Sequence, residues 1–463
     1  VTRIDLTLLT PAARRVIAVI TTAGGRPMLS GGFVRDALLA PGTRPKDTDM
    51  EVYGITDPDQ LAGPLATAGF RVMEAGKLFG VLKVRAGGED IDVSLPRRES
   101  RFGAGHRGFV VIQDGAMGFA EAAARRDFTV NALMADPGTG EVLDFHGGLA
   151  DLEAGVLRHT SPAFAEDPLR VLRAVQFAAR YGFSLDAGTA MLCRQMAARF
   201  PELATERVYG ELSKLARQGT RISHALAVLE DTGWEIWFPE LAAMRGTPQE
   251  PAWHPEGDVW IHAGLAGDQA ARLAGEAGLH VDAREVAVLA ALLHDAGKPY
   301  VTRVEHARIV SHGHAKAGIA PARSFLRRTG FGREVTAEIL PLIAEHMNCG
   351  TAPTEPAVRR MARRLAPSDM GMLALIIAAD CKGRGDPGAE HAFAGTWLEM
   401  ARTVRVSAKP APGILRGQHL IDAGLVPGPA FGQILARALA AQDDGAFGDE
   451  AGALAWLAAE LAA

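Results

Sequence analysis

The chain has 463 residues, 48% of them hydrophobic and 22% charged, with a formal net charge of −5 at pH 7. That length implies about two to four domains, and the acidic balance leaves any RNA contact to local basic clusters rather than to the whole surface. Three cysteines (Cys193, Cys349, Cys381) form no Cys-x-x-Cys pair, and no apolar run approaches a membrane span, so a disulfide framework, a structural zinc site and a membrane protein are excluded and a cytoplasmic location is expected.

In chain order, Leu6, Leu9, Ala13, Val16 and Ile20 recur at helical spacing and predict a lead-in helix over 5–23. A short apolar stretch from Pro27 to Ser30 then meets Gly31-Gly32, followed by a helix-like run from Val34 to Ala40. Paired glycines at such a junction make a turn whose backbone N–H groups approach phosphate oxygens closely. Asp47 and Asp49 follow in a segment of strand character, with Met50, Val52 and Tyr53 behind them. Alternate strand residues share a face, so the two carboxylates make a hard, oxygen-rich site for Mg²⁺, which relieves their repulsion. A phosphate cradle feeding a carboxylate pair points to nucleotidyl transfer.

A helix is expected over 59–68, closed by Gly69, and strands over 70–73, 80–84 and 91–95, with Gly87-Gly88 turning between the last two. Asp90 and Asp92 alternate on the last strand, and either can supply a third carboxylate that shares a metal and accepts the proton of an attacking hydroxyl. Further on stand Arg125-Arg126-Asp127-Phe128-Thr129-Val130-Asn131 and a Gly147-Gly148 turn. A helix from about 166 carries Arg170, Arg173, Gln176 and Arg180 on one face and Leu169, Leu172, Val175 and Ala179 on the other.

Gly31-Gly32-x-Val34-Arg35-Asp36, Asp47-x-Asp49 and the 125–131 stretch resemble the class II tRNA nucleotidyltransferases and the related bacterial poly(A) polymerases, of the polymerase-beta-like superfamily. The resemblance implies template-independent addition of CCA to the tRNA 3′ end from CTP and ATP; CC-adding, A-adding and poly(A) relatives share every motif quoted. It favours Asp92 as the third acid. It implies that Gly32, Arg35, Arg126 and Arg173 hold the triphosphate, with Gly31, Asp36, Asp127, Asn131 and Gln176 in the nucleotide-binding set. Asp167 and Arg170 would read the incoming base. Cytosine and adenine offer an amine beside a ring-nitrogen acceptor, and uracil and guanine reverse that pattern, so a carboxylate next to a guanidinium admits the first two. Gln176 stands where many relatives carry arginine, and the Gly-rich basic loop at 102–107 is expected to control the switch from C to A.

Helical patterning continues to about 244, and a Gly, Pro and Glu-rich linker follows at 245–255. His262, His294-Asp295 and Asp380 then form an H…HD…D series, with His314 and His346 in between. An ionised carboxylate on an apolar helix is expensive unless it is paired, and imidazole plus carboxylate suits Mn, Ni, Fe or Mg. The series resembles the HD phosphohydrolase superfamily, whose helical bundle binds a divalent metal through those four positions. His314 and His346 are expected to support the ligands or to touch phosphate. A phosphohydrolase with an inactive, RNA-binding head is the alternative of another class.

The expected fold is α+β: a small mixed-sheet, polymerase-beta-like head at 1–147, a helical neck and body at 148–250, an HD domain at 251–390 and a helical tail at 391–463. The expected partners are tRNA, CTP and ATP, for a monomer or homodimer.

Overall fold

The computed structural model describes residues 1–74, 81–101, 109–348, 352–385 and 392–462; the loop at 102–107 lies outside the described residues. The backbone divides into two units, Val1–Ala174 with Phe183–Leu203, and Val175–Gly182 with Ala204–Ala463.

The first unit contains strands β1 (Arg26–Ser30), β2 (Thr48–Tyr53), β3 (Arg71–Glu74), β4 (Val81–Ala86), β5 (Glu89–Ser94), β6 (Arg97–Arg101), β7 (Phe109–Gln113), β8 (Met134–Ala135) and β9 (Val142–Leu143). Seven of them form one mixed sheet in the order β3-β4-β5-β2-β1-β8-β9, while β6 and β7 pair as a hairpin of their own. The β2–β5 pair is parallel and sets Asp49 opposite Asp92. The β4–β5 hairpin turns at Gly87 and Gly88, both at positive φ.

Helix α1 (Pro11–Thr22) buries Ala13, Val16 and Ile20 on the sheet. It is shorter than its periodicity suggests, because Thr10 caps Ala13 N–H and Pro11 opens a new helix, leaving Leu6–Leu8 as a separate 3₁₀ turn. Helices α2 (Gly32–Leu39) and α3 (Asp59–Thr67) supply Phe33, Val34, Leu61 and Leu65 to the same core. After α4 (Phe119–Ala124), a 3₁₀ turn at Thr129–Asn131 is held from below by α5 (Gly148–Ala154). Thr129 Oγ1 donates to Asp151 Oδ2 at 2.6 Å, and a Cβ on Gly148 would lie 2.2 Å from the Thr129 carbonyl oxygen.

Helix α6 (Leu169–Tyr181) begins in the first unit, which ends with α7 (Ala187–Gln195) and the turns after it. The second unit is helical: α8 (Thr205–Gln218), α9 (Ile222–Thr232), α10 (Pro239–Ala242), α11 (Val259–Glu276), α12 (Val281–Leu293), α13 (Lys298–Val301), α14 (His314–Ala317), α15 (Ile319–Arg328), α16 (Arg333–Glu345), α17 (Glu355–Leu365) and α18 (Met370–Gly383). Small residues let α11 approach its neighbours: a Cβ on Gly267 would meet Ile222 of α9 at 2.9 Å, and one on Gly383 of α18 would meet the Ala266 nitrogen at 2.9 Å. Helices α19 (Ala392–Thr403), α20 (Gly417–Asp422), α21 (Pro429–Asp443) and α22 (Glu450–Ala462) follow; the last three share a small core of Leu420, Ile434, Ala438 and Leu457. Among the described residues no helix is long and apolar enough to cross a membrane.

Gly148→Ala is expected to destabilise the first unit by about 3 kcal/mol, since the added methyl meets backbone rather than a flexible side chain. Chemical denaturation of the two proteins measures the difference.

Candidate active site and metal centre

The head site lies where the sheet meets the N-terminus of α2. Gly31 adopts φ 62° and ψ −125°, a region open to glycine, and a Cβ there would stand 2.7 Å from Arg126 Nη1. Its own N–H is committed to the Leu133 carbonyl at 3.3 Å. The N–H groups of Gly32, Phe33 and Val34 open the helix without a side-chain cap and have no intrahelical acceptor. The Cβ position of Gly32 is 3.5 Å from both Asp49 Oδ2 and Arg35 Nη2, which sets this anion-binding end directly beside the acidic residues.

Asp49 lies on β2, the exposed Asp47 precedes that strand, and Asp92 faces Asp49 from β5. Burial, then the neighbouring charge of Asp92, pushes the Asp49 carboxyl up to about 6; Asp47 adds to the rise and Arg126 and Arg35 oppose it. Asp92 Oδ1 is buried without a hydrogen bond, although Lys83 Nζ lies 3.2 Å away. Crowded carboxylates fit a divalent cation. Of the two acids left open by the β5 pattern, Asp90 is instead paired with Arg85 at 2.7 Å on the exposed side.

One buried carboxylate joins the remaining residues. Asp127 Oδ1 accepts from Asn131 Nδ2 at 2.9 Å and from Phe128 N–H at 2.8 Å, and its Oδ2 accepts from Arg173 Nε at 2.6 Å. Asn131 Oδ1 in turn accepts from Arg35 Nη1, and Arg35 Nε donates to Asp36 at 2.8 Å. Burial opposes ionisation of Asp127, but the Arg173 charge and these hydrogen bonds prevail and hold it at about 2. Both oxygens of Asp127, expected among the nucleotide contacts, are thus engaged inside the protein, where the carboxylate positions Arg173 and Asn131. Gln176, expected in the nucleotide-binding set, is 1% exposed and accepts from Arg180 Nη1 at 3.4 Å.

Asp167 accepts Leu169 N–H at the start of α6. Arg170 donates to the carbonyls of Ala163 and Arg125, each at 2.8 Å, and borders a cavity of about 210 Å³ that Glu51, Arg97, Arg125 and Arg126 also line. Glu51 was missed in the sequence. It accepts from Tyr53 OH at 2.8 Å and stands 3.5 Å from Arg126 Nη2. The signal was present, since Glu51 continues the same alternation as Asp47 and Asp49.

The second unit gathers the H…HD…D series. His262 comes from α11, His294 and Asp295 follow α12, and Asp380 comes from α18; all four are buried. His262 Nε2 is 3.3 Å from His294 Nε2 and 3.2 Å from Asp380 Oδ1, and His294 Nε2 is 3.2 Å from Asp295 Oδ2. Ligand atoms about 2.1 Å from one ion lie about 3.0–3.5 Å from each other when adjacent, as these do, whereas His262 Nε2 to Asp295 Oδ2 at 3.7 Å and His294 Nε2 to Asp380 Oδ1 at 3.9 Å are wider; His262, His294 and Asp380 form one compact candidate metal group. Glu256 Oε1, absent from the sequence reading, accepts from His262 Nδ1 at 2.7 Å and turns Nε2 towards the cluster. Burial opposes ionisation of Asp295, but His294 and Lys298 overcome it and hold the carboxyl well below the usual range. A cleft of about 840 Å³, lined by Trp253, Lys298, His312 and Arg384, opens onto the cluster. A Cβ on Gly297 would fall 2.0 Å from the His314 carbonyl, so the glycine after the His-Asp pair is what lets α14 dock here.

The poly A polymerase head domain family matches residues 28–158 and the HD domain family matches residues 259–378. The multifunctional CCA protein of Xanthomonas oryzae pv. oryzae (strain MAFF 311018) is 37% identical over 424 residues, covering 89% of this chain and 96% of the relative. The chain belongs to the multifunctional CCA protein family. Another member of the multifunctional CCA proteins, from Stenotrophomonas maltophilia (strain K279a), is 35% identical over 424 residues, 89% of this chain and 97% of its own. Among solved structures, the Bacillus stearothermophilus CCA-adding enzyme in complex with CTP shares the fold with a TM-score of 0.66 at 20% identity, covering 98% of both chains. The Thermotoga maritima CCA-adding enzyme complexed with tRNA_CCA gives 0.53 at 20% identity, covering 97% of this chain and 94% of its own. The α+β expectation thus holds for this family member.

Asp127→Asn is expected to reduce stability at pH 7 by about 2 kcal/mol. Because the folded pKa lies below the ordinary 3.8, the carboxylate's contribution is complete above about pH 4 and is lost as pH falls towards 2. Denaturation series at several pH values should therefore show the two proteins converging below pH 4.

Proposed function

We propose that this chain extends the tRNA 3′ end by template-independent transfer of CMP and AMP from CTP and ATP, releasing pyrophosphate, in the cytoplasm. The observation that supports it best is the parallel register that sets Asp49 against Asp92 at the uncapped N-terminus of α2. Asp47 and Asp49 would hold Mg²⁺, which when bound lowers the pKa of the 3′-hydroxyl and stabilises the leaving phosphates. Asp92, opposite Asp49, would accept the hydroxyl proton. The N–H groups of Gly32, Phe33 and Val34 receive phosphate oxygens, and Arg126, held against Gly31, adds charge. Arg35 is 5% exposed and links α2 to Asn131, so its part is to fix the cradle. Arg173 fixes α6 through Asp127.

Asp167 and Arg170 read the base by the amine and ring-nitrogen pattern. Its bonds to the Ala163 and Arg125 carbonyls fix the Arg170 guanidinium and commit two of its five N–H donors. U and G would leave the carboxylate and guanidinium facing groups of their own kind, which disfavours them. In the second unit, the His262, His294, Asp295 and Asp380 cluster would hold a divalent metal for phosphoester hydrolysis in the adjoining cleft, with Lys298 and Arg384 to bind phosphate.

Purified protein with Mg²⁺ and tRNA transcripts ending before CC, after CC and after CCA tests the reading. Completion to CCA and no further is expected; CC alone, A alone or a long A tail would assign the chain to a restricted relative. Asp49→Ala should abolish incorporation while leaving the thermal midpoint of the metal-free protein unchanged or raised, because the carboxylate removed is buried beside like charges. Full transferase activity in Asp49→Ala would refute the assignment.

A further inference from the structure

Glu51 follows Asp49 by two residues on β2, so the two side chains share a face of the sheet, and the parallel register sets Glu51 against Ser94 as it sets Asp49 against Asp92. Strand β1, which runs into the Gly31 turn, pairs its Leu29 with Met50 and its Met28 with Glu51. Glu51 therefore stands one step, about 6.6 Å, further from that turn than Asp49 does. It lines the cavity of about 210 Å³ together with Ser94, Arg97, Arg125, Arg126 and Arg170. Arg126 also touches the Gly31 turn, and Arg170 belongs to the pair that reads the base. The cavity thus lies between the triphosphate end and the base end of a bound nucleotide, and the part of a nucleotide between those ends is its sugar.

The state of the carboxylate says what it can recognise. Glu51 is 9% exposed; its Oε2 accepts from Tyr53 OH at 2.8 Å and stands 3.5 Å from Arg126 Nη2. The Tyr53 ring is in turn held edge-on by Phe119, with centroids 4.5 Å apart, so the carboxylate is fixed in place. Among the described residues Oε1 has no hydrogen-bond donor. Both oxygens of Asp127 are engaged inside the protein, whereas Glu51 keeps one open. A nearly buried acceptor is costly unless a ligand or water donates to it. An ionised carboxylate only accepts, so its ligand must bring an O–H or N–H, which a phosphate oxygen does not. Ribose hydroxyls are such donors, and they lie one sugar away from the phosphate that reacts.

We propose that Glu51 Oε1 accepts a hydrogen bond from a ribose hydroxyl of the incoming nucleotide, which makes Glu51 the residue that selects ribonucleotides over deoxyribonucleotides. This rests on the reading of the head as a nucleotidyltransferase. Tyr53 and Arg126 hold Oε2 and leave Oε1 for the sugar, while the surrounding arginines keep the cavity favourable for an anionic ligand.

The test reads binding, so that it does not depend on turnover. Dissociation constants of CTP, 2′-deoxy-CTP and 3′-deoxy-CTP are measured by calorimetry on the full chain with Mg²⁺ and without tRNA. The parent is expected to bind CTP about tenfold or more tightly than at least one of the two analogues, the effect of losing one hydrogen bond to a charged group. Glu51→Ala should weaken CTP alone and bring that ratio close to one. Glu51→Gln keeps the volume and an acceptor for Tyr53 OH but not the charge, should give an intermediate ratio, and decides the matter if the alanine variant does not fold. Equal weakening of all three nucleotides would reduce Glu51 to a support for Arg126 and overturn the proposal. A parent that binds all three alike, or a preference unchanged in both variants, would overturn it too. Sugar-selective binding without incorporation on any tRNA transcript would refute the transferase reading and leave the sugar contact standing; no binding of CTP by the parent would overturn both.

Discussion

The head depends on the buried carboxylate of Asp127. It accepts from the 3₁₀ turn at Asn131 and from helix α6 at Arg173, and through Asn131 it reaches Arg35 of α2. A buried ion pair gains little over an apolar one of equal volume, but a half-broken one leaves an uncompensated charge. Such a network suits positioning better than stability. It ties α2 to α6 through one chain of hydrogen bonds, so a shift of either is felt by the other.

The two candidate metal centres differ in the chemistry of their donors. The head offers carboxylates on strands, with an arginine and a helix N-terminus close by, and this is the setting for a hard ion that shares its coordination with phosphate. The HD cluster offers four imidazoles and two carboxylates on helices, deep in an apolar bundle. Charge there is met by nearby cations, Lys298 at Asp295 and Arg384 at Asp380. The first centre is arranged for a metal that arrives with its nucleotide, and the second for a metal that stays.

Glycine sets the geometry in both. Gly31 lets the Arg126 guanidinium lie against the turn, Gly148 brings α5 against the Thr129 carbonyl, and Gly297 brings α14 to the His-Asp pair. In each case a Cβ would meet backbone or a guanidinium held in place by neighbours. These glycines are required by close approach, and only at Gly31 also by backbone conformation.

The sequence by itself determined the local chemistry: the Gly-Gly turn into a helix, the Asp47 and Asp49 alternation, the Arg125 to Asn131 stretch and the H…HD…D series are legible because neighbours along a helix or strand have fixed periodicity. Tertiary structure decided everything that depends on pairing across the chain. The resemblance favoured Asp92 over Asp90, but its position opposite Asp49 came from the β2–β5 register, and the burial of Gln176 and the capture of Asp127 by Arg173 came from how α6 packs. The convergence of His314 and His346 on Asp295 came from helices far apart in sequence. Periodicity fixes which residues share a face; it carries no information about what that face meets, because the partner is set by burial and hydrogen bonding of the whole unit.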